Sequence, residues 1–423
     1  MIIFGLFIVI GVASFALYKG NSSSTKLPAI TIWGTFPKLE FDQFIGKANQ
    51  NSAASFSVTY VEKAQSQFSL DFISALARGQ GPDAILIPTD LLLPHEDKLV
   101  TVPFTTMTQY DFTNAYIGES SVYLNKTGII GFPFLVDPLV MYWNMDMFDA
   151  AGIATYPRYW DDFTGLNKSL TVKDKNGNIR RSAIAMGQFG NVDNAREILG
   201  TLLMQSGNPV TTQNSDGSVS SNITQSADVS PASAIKFFAQ FVNPSSANYS
   251  WNNSMPDSKS AFLAGSLATY FGFASELSDI KTKNPNLRFD VALMPSPKTG
   301  GSGVTYGHMY GFSILRSSSN QAAALQVITS ISSPQYLANI SNSLYLPSVR
   351  RDVIAAGSND PYITLFDKAA LVSKTWLEAD PAATSQIFSD MIQSFTSGQS
   401  SIDQSINNAG DRMNASLSAA ISQ

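Results

Sequence analysis

Residues 131–153 read GFPFLVDPLVMYWNMDMFDAAGI. Two apolar, strand-like runs, 132–136 and 139–143, flank the pair Asp137-Pro138. Proline cannot donate to a sheet ladder, so it belongs at a strand edge, a start or a bend. The Asp137 carboxylate has apolar neighbours and no cation near it in sequence. Burying such a charge is costly unless something hydrogen-bonds it. A chain that leaves one compact lobe, presents an acid at a bend and enters a second lobe meets both constraints. A buried strand pair with a bulge meets them too.

On the N-terminal side, PAITIWGTF at 28–36 predicts a buried strand. Helical spacing of Leu39, Phe41, Phe44 and Ile45 predicts a helix over 38–48. Alternating Phe, Val and Tyr over 55–61 predicts a half-buried strand. An amphipathic helix follows over 68–77, stopped by 79–81, and then a strand over 83–87. Strands alternating with helices imply a parallel sheet covered on both faces. Beyond the central stretch, Asn176-Gly177 marks a hairpin within 170–179. Helices are expected over 195–205, 231–241, 259–264, 322–331, 334–341, 362–369, 386–397 and 402–421, and strands over 268–271 and 289–294.

The chain has 423 residues, enough for two domains with full cores. Apolar residues make up 44% and charged residues only 14%, and the net charge is −5. With no long basic run, nucleic acid is excluded as the expected partner. There is no cysteine, so disulfides, thiolate catalysis, cysteine metal sites and a lipid-modified N-terminal cysteine are all excluded. The run IIFGLFIVIGVASFALY at 2–18 has the length of a short spanning helix or of a signal-peptide core. Ser14-Phe15-Ala16 offers a small-x-small cleavage site. The expectation is an exported protein, held at the extracytoplasmic face of the membrane by this segment or released if it is cleaved.

Several motifs occur in a fixed order. Ile30-Thr31-Ile32-Trp33 precedes the loop 34–37, and Gly81-Pro82-Asp83 precedes an apolar strand. Gly131-Phe132-Pro133 leads through Asp137 to Asn144, Asp146, Phe148 and Ala151-Gly152-Ile153. Trp160-Asp161-Asp162-Phe163, FLAGSLATYFG at 262–272 and the stretch 306–314 complete the series. Together they resemble extracellular solute-binding proteins of the maltodextrin-binding type (family 1), which feed ABC importers. The resemblance covers nearly all of 28–423. Tyr159 stands where the family usually has threonine.

The resemblance implies an α/β, two-lobed periplasmic-binding-protein fold of type II with three interlobe crossings, near Val136, Tyr270 and Gly311. One lobe would hold 28–135 plus 271–310 and the other 138–269 plus 313–423. Segment 1–19 would be the signal or membrane helix and 20–27 a linker. The implied function is binding of a sugar or oligosaccharide in the interlobe cleft, by a monomer, for delivery to permease subunits. No cofactor and no metal are expected.

Sugar sites combine carboxylates and amides, which accept hydroxyl protons, with aromatic platforms. Asp137 and Asp90 match acids that contact ligand in the family. Asp137 serves equally as a hinge hydrogen-bond acceptor, and Asp90 is equally placed to cap a helix from Leu91. Thr35 and Phe36 follow the first strand and should line the cleft. Phe271, Phe273 and Ser275 follow the expected second crossing, with Phe273 as the stacking residue. His308, Met309 and Tyr310 occupy the third, where Gly307 and Gly311 allow close backbone approach. Asn194 and Arg196 match a helix start that reaches ligand. Trp376 belongs either to the cleft mouth or to a helix end.

Catalytic motifs are missing. His95 and His308 stand alone, without H-E-x-x-H, and neither a Gly-x-Ser-x-Gly elbow nor a P-loop is present. Three rivals remain: a ferric-iron or anion binder using Tyr306, His308 and Tyr310; a receptor or adhesion module without a transporter; and a glycoside hydrolase using Asp90 and Asp137 as its carboxylate pair.

Overall fold

A computed structural model describes residues 29–50, 57–225, 229–299 and 301–421. The expected N-terminal membrane helix and linker lie outside these residues. Among the described residues, no helix is long and apolar enough to cross a membrane.

The strands that place the site are β1 (Ile30–Gly34), β2 (Val58–Glu62), β3 (Ala84–Pro88), β4 (Phe132–Asn144), β5 (Ile179–Ile184), β6 (Leu267–Phe273), β7 (Phe289–Ala292) and β8 (Thr305–Ile314). They form one mixed sheet in the order β2-β1-β3-β8-β4-β6-β5, with β7 also paired to β4. β1, β2 and β3 run parallel, as strand–helix alternation requires. β3 is buried at every position, as suits a strand with neighbours on both edges. The expected hairpin forms between Val172–Lys173 and β5, and Gly177 at its turn takes a left-handed φ of 82°.

The two runs around Asp137-Pro138 are one continuous strand of 13 residues, buried throughout. The proline is tolerated because β4 changes partners there. Its first half pairs with β8, from Phe132 opposite Phe312 to Pro138 opposite Gly307. Its second half lies between β6 and β7. The missing N–H therefore falls where the ladder passes from one partner to the next. The bulge is also present, one turn of the pleat away. Register shifts between Tyr310 and Gly311, which face Leu135 and Pro133 and leave Phe134 without a direct opposite.

The chain path differs from the expected one. β6 is not a passage between sheet halves near Tyr270. Its residues from Thr269 to Phe273 pair with Trp143 to Leu139, and its other edge pairs with β5. β7 also stays beside the second half of β4. The passages are β4, β8 and the short strand Ser373–Lys374, which pairs with Thr305 and Tyr306 at the start of β8. β8 then continues to β3, so it links the two ends of the sheet. The segment 271–310 therefore does not belong with β1 to β3, apart from the far end of β8. Conversely, the helices Gln321–Ile331 and Pro334–Leu344 belong on the β1 to β3 side, where Tyr336 donates to the Ala48 carbonyl. Pro381–Thr396 and Ile402–Ile421 pack against Ala195–Gln205 and Pro231–Ala239 on the other side.

Close packing at β8 depends on its glycines. A Cβ at Gly311 would stand 2.3 Å from the Tyr123 hydroxyl and 2.4 Å from its ring. Gly311→Ala should therefore cost about 1–3 kcal/mol of stability. Gly46→Ala, in open space within the helix Lys38–Gln50, should add about 0.5–1 kcal/mol. Urea unfolding of the two variants checks this, and equal midpoints would contradict it.

Candidate functional site

Side chains two apart on a strand share a face. β8 therefore presents Tyr306, His308 and Tyr310 in a row, with ring centroids 6.5 and 5.3 Å apart. Three further rings extend the row. Phe273 lies 6.1 Å from Tyr306 and 6.0 Å from His308, Trp376 lies 4.8 Å from Tyr306, and Phe36 lies 5.6 Å from Tyr310. The result is an aromatic seam along a strand that passes from one sheet half to the other.

Charged groups line the seam at its Tyr306 end. Arg196, in the first turn of Ala195–Gln205, sends its guanidinium between Tyr306 and Trp376, at 5.9 and 5.6 Å from the two ring centres. It binds Glu378 and Glu197, the latter at 2.7 Å, and stands 3.5 Å from Asp90. Asp90 also accepts from His308 Nε2 at 3.4 Å. It sits within the short 3-10 turn Thr89–Leu91 and caps no helix, contrary to one reading of the sequence. Asp90 and Glu378 are each 1% exposed. Burial alone would raise the Asp90 pKa, but His308 and Arg196 outweigh it and hold the carboxyl below its ordinary range. Burial would lower His308, and Asp90 reverses that. Glu378 is raised by burial, against the pull of Arg196. Among the described residues, the Tyr306 hydroxyl and the Trp376 indole N–H have no hydrogen-bond partner. Leaving such buried groups unmatched costs about 1–3 kcal/mol each.

Two hollows flank the seam. One, of about 600 Å³, lies beside Asp137, Phe36, Tyr310 and Ser275 and reaches the end of the helix Pro334–Leu344. The Asp137 carboxylate accepts from the Ser275 N–H at 3.0 Å, and burial pushes its pKa up to about 6 despite that bond. The other hollow, of about 730 Å³, runs between Ser66, Ser69, Leu91 and Pro94 on one side and Ala379, Pro381 and Ala419 on the other.

The structure thus brings together Phe36, Asp90, Asp137, Arg196, Phe273, Ser275, His308 and Tyr310, with Thr35 at the end of β1 beside Phe36. Three expected residues stand elsewhere. Phe271 packs into the core against Trp160 and Phe163, deeper in β6 than Phe273, which ends the strand and is only half-buried. Met309 points to the opposite face of β8 from His308 and takes a weak bond from Ser120. Asn194 has a left-handed φ of 58° and spends its amide on the Phe271 carbonyl and Glu276. Tyr306, expected only as a ligand of the iron- or anion-binding rival, Trp376, expected at the cleft mouth or a helix end, and Glu378, not expected at all, belong to the seam. Period-2 alternation through His308 is the signal for Tyr306. Nothing local marks Glu378. Among the described residues, no three His, Asp or Glu side chains are grouped to hold a metal ion.

A family profile described as bacterial extracellular solute-binding protein matches residues 42–338. No curated protein matches the chain in sequence. Solved structures do. A cyclic alpha-maltosyl-1,6-maltose binding protein from Arthrobacter globiformis superposes with a TM-score of 0.74 at 16% identity, covering 93% of this chain and 99% of its own. An ABC transporter solute-binding protein from Thermotoga lettingae, bound with alpha-D-tagatose, gives 0.66 at 18% identity, covering 92% and 99%. An ABC substrate-binding protein from Listeria monocytogenes in complex with cycloalternan gives 0.66 at 16%, also covering 92% and 99%. These similarities establish the α/β fold with its mixed sheet.

A further carboxyl, Glu119, sits where the passages meet. It is 2% exposed and accepts from Ser373, and its Oε2 lies where a side chain on Gly307 would stand. Burial pushes its pKa up to about 7, although the Ser373 bond opposes this. The folded protein therefore holds a proton that the unfolded chain releases near pH 4.5. Its contribution to stability is present below that value and is lost as pH rises through about 7, by up to about 3 kcal/mol. Glu119→Gln should flatten this part of the stability profile. An unchanged slope between those pH values in denaturant titrations would contradict the assignment.

Proposed function

We propose a function from one premise: the chain belongs to the family of bacterial extracellular solute-binding proteins. It binds a sugar at the seam between two lobes and hands it to the permease of an ABC importer. One lobe is built on β1 to β3 and the other on β5 to β7, and β4, β8 and Ser373–Lys374 are the hinge. The observation that carries this reading is the seam itself. The partly exposed rings of Phe273, His308 and Tyr310, able to stack on the apolar face of a sugar, lie beside carboxylates able to accept its hydroxyl protons, where strands pass between the sheet halves. The solved relatives bound to tagatose and cycloalternan support a carbohydrate as the ligand class.

An anion is the less favoured cargo. The buried guanidinium of Arg196 already faces Asp90, Glu197 and Glu378, so its charge is more than balanced. The proposed activity is binding without turnover. Ligand draws the lobes together because it touches both of them, and only contacts that favour the closed arrangement can drive closure. The apolar run at 2–18, outside the described residues, is proposed as the membrane anchor, with the domains at the extracytoplasmic face.

A thermal-shift screen over neutral sugars tests the reading. A true ligand at about 100 Kd adds about 2.7 kcal/mol of stability. Asp137→Asn should weaken that ligand by about 1–3 kcal/mol in calorimetry while leaving the fold intact. Stabilisation by anions and by no neutral sugar would overturn the proposed cargo.

A further inference from the structure

Tyr345 is one of two non-glycine residues with a positive φ among the described residues, at 54°. It ends the helix Pro334–Leu344, and its N–H returns to the Ser341 carbonyl. Glycine is the residue that usually closes a helix in this conformation, because it has no Cβ to clash. A bulky side chain held there costs about 1–3 kcal/mol, and such strain gathers at ligand clamps. The tyrosine is also 38% exposed, although it could close the helix more cheaply as glycine.

Its surroundings show what the ring faces. Tyr345 lines the 600 Å³ cavity with Leu39, Leu344 and Leu346, opposite Asp137 and Tyr310. Leu39 is 67% exposed, so this wall leaves apolar surface uncovered. Asp137 is 8% exposed and reaches the cavity with one carboxylate oxygen bonded to Ser275. Gln43, Ser278 and Asn339 add neutral polar groups to the lining, and Glu40 and Lys47 add charged ones. Apolar walls with a few convergent polar groups, at a volume between about 300 and 1,000 Å³, are the form of a small-molecule site. Tyr310 belongs to both the cavity and the seam, so the two adjoin at its ring.

We propose that this cavity is an extending sugar subsite, in which Tyr345 stacks on a ring adjoining the one held at the seam and Asp137 accepts hydroxyl protons between them. The inference rests on the sugar-binding reading above and makes Tyr345 a determinant of ligand length. Its strained backbone separates this role from folding. Tyr345→Gly removes the ring and relieves the left-handed strain together, so the variant should be at least as stable as the parent.

Native mass spectrometry of the full chain with hydrolysates of starch, mannan and xylan, each holding single sugars and short oligomers, tests the subsite. The wild type should retain oligomers over single sugars. Tyr345→Gly should lose about tenfold of that preference, equivalent to about 1.4 kcal/mol, and Tyr345→Phe should keep it. A Tyr345→Gly protein with undiminished oligomer preference would overturn the subsite while leaving the seam as a sugar site. A wild type that retains no sugar from any hydrolysate would overturn the sugar reading itself.

Discussion

A guanidinium buried among carboxylates from three parts of the chain holds the centre of this molecule. Arg196 comes from a helix on the β5 to β7 side, Asp90 from the turn after β3, and Glu378 from beyond the short strand beside β8. Taking such charges out of water is expensive, and an apolar replacement of the same shape is often as stable or more so. Removing one partner alone costs about 3–5 kcal/mol, because the others are left uncompensated. The cluster is therefore a poor device for stability and a good one for register. It fixes how the two sheet halves meet, and it places polar groups where a ligand with hydroxyls can compete for them.

The sheet supports that arrangement through two strands that belong to both halves. β4 changes partners at Asp137-Pro138, and β8 runs from Ser373–Lys374 to β3. Each can bend at one place without breaking a ladder elsewhere. Pro138 has no N–H to lose, and the register slip at Tyr310 already interrupts the pairing. Glu119, Ser373 and Gly307 pack at the same level. The proposed hinge, the acids and the aromatic row thus occupy one layer. Any rotation between the halves moves Arg196 and Phe273 relative to Asp90 and Phe36.

Local signals carried much of this. The helix expected over 195–205 has its observed ends, and β1, β2 and β3 lie within a few residues of the strands expected over 28–36, 55–61 and 83–87. Asp137 stood out because an acid in an apolar run needs a partner, and the Ser275 N–H supplies one. The path of the chain was less legible. Which strand lies beside β4 depends on pairings far apart in sequence, and a crossing at Tyr270 has the same local pattern as the observed β6. Glu378 meets Arg196 across 182 positions. Tyr345 was hidden for the opposite reason. Its conformation contradicts local preference, so only the folded backbone reveals it.

The central claim is that ligand at the seam draws the two halves together. Because the chain has no cysteine, labels can be placed at will. Gln67 and Ala382 are exposed and stand near the two sides of the 730 Å³ hollow. With spin labels on cysteines introduced there, pulsed electron resonance reads the distance across the cleft. Addition of a sugar that stabilises the protein should give a shorter and narrower distance distribution than the ligand-free protein shows. Identical distributions with and without saturating sugar would contradict the account.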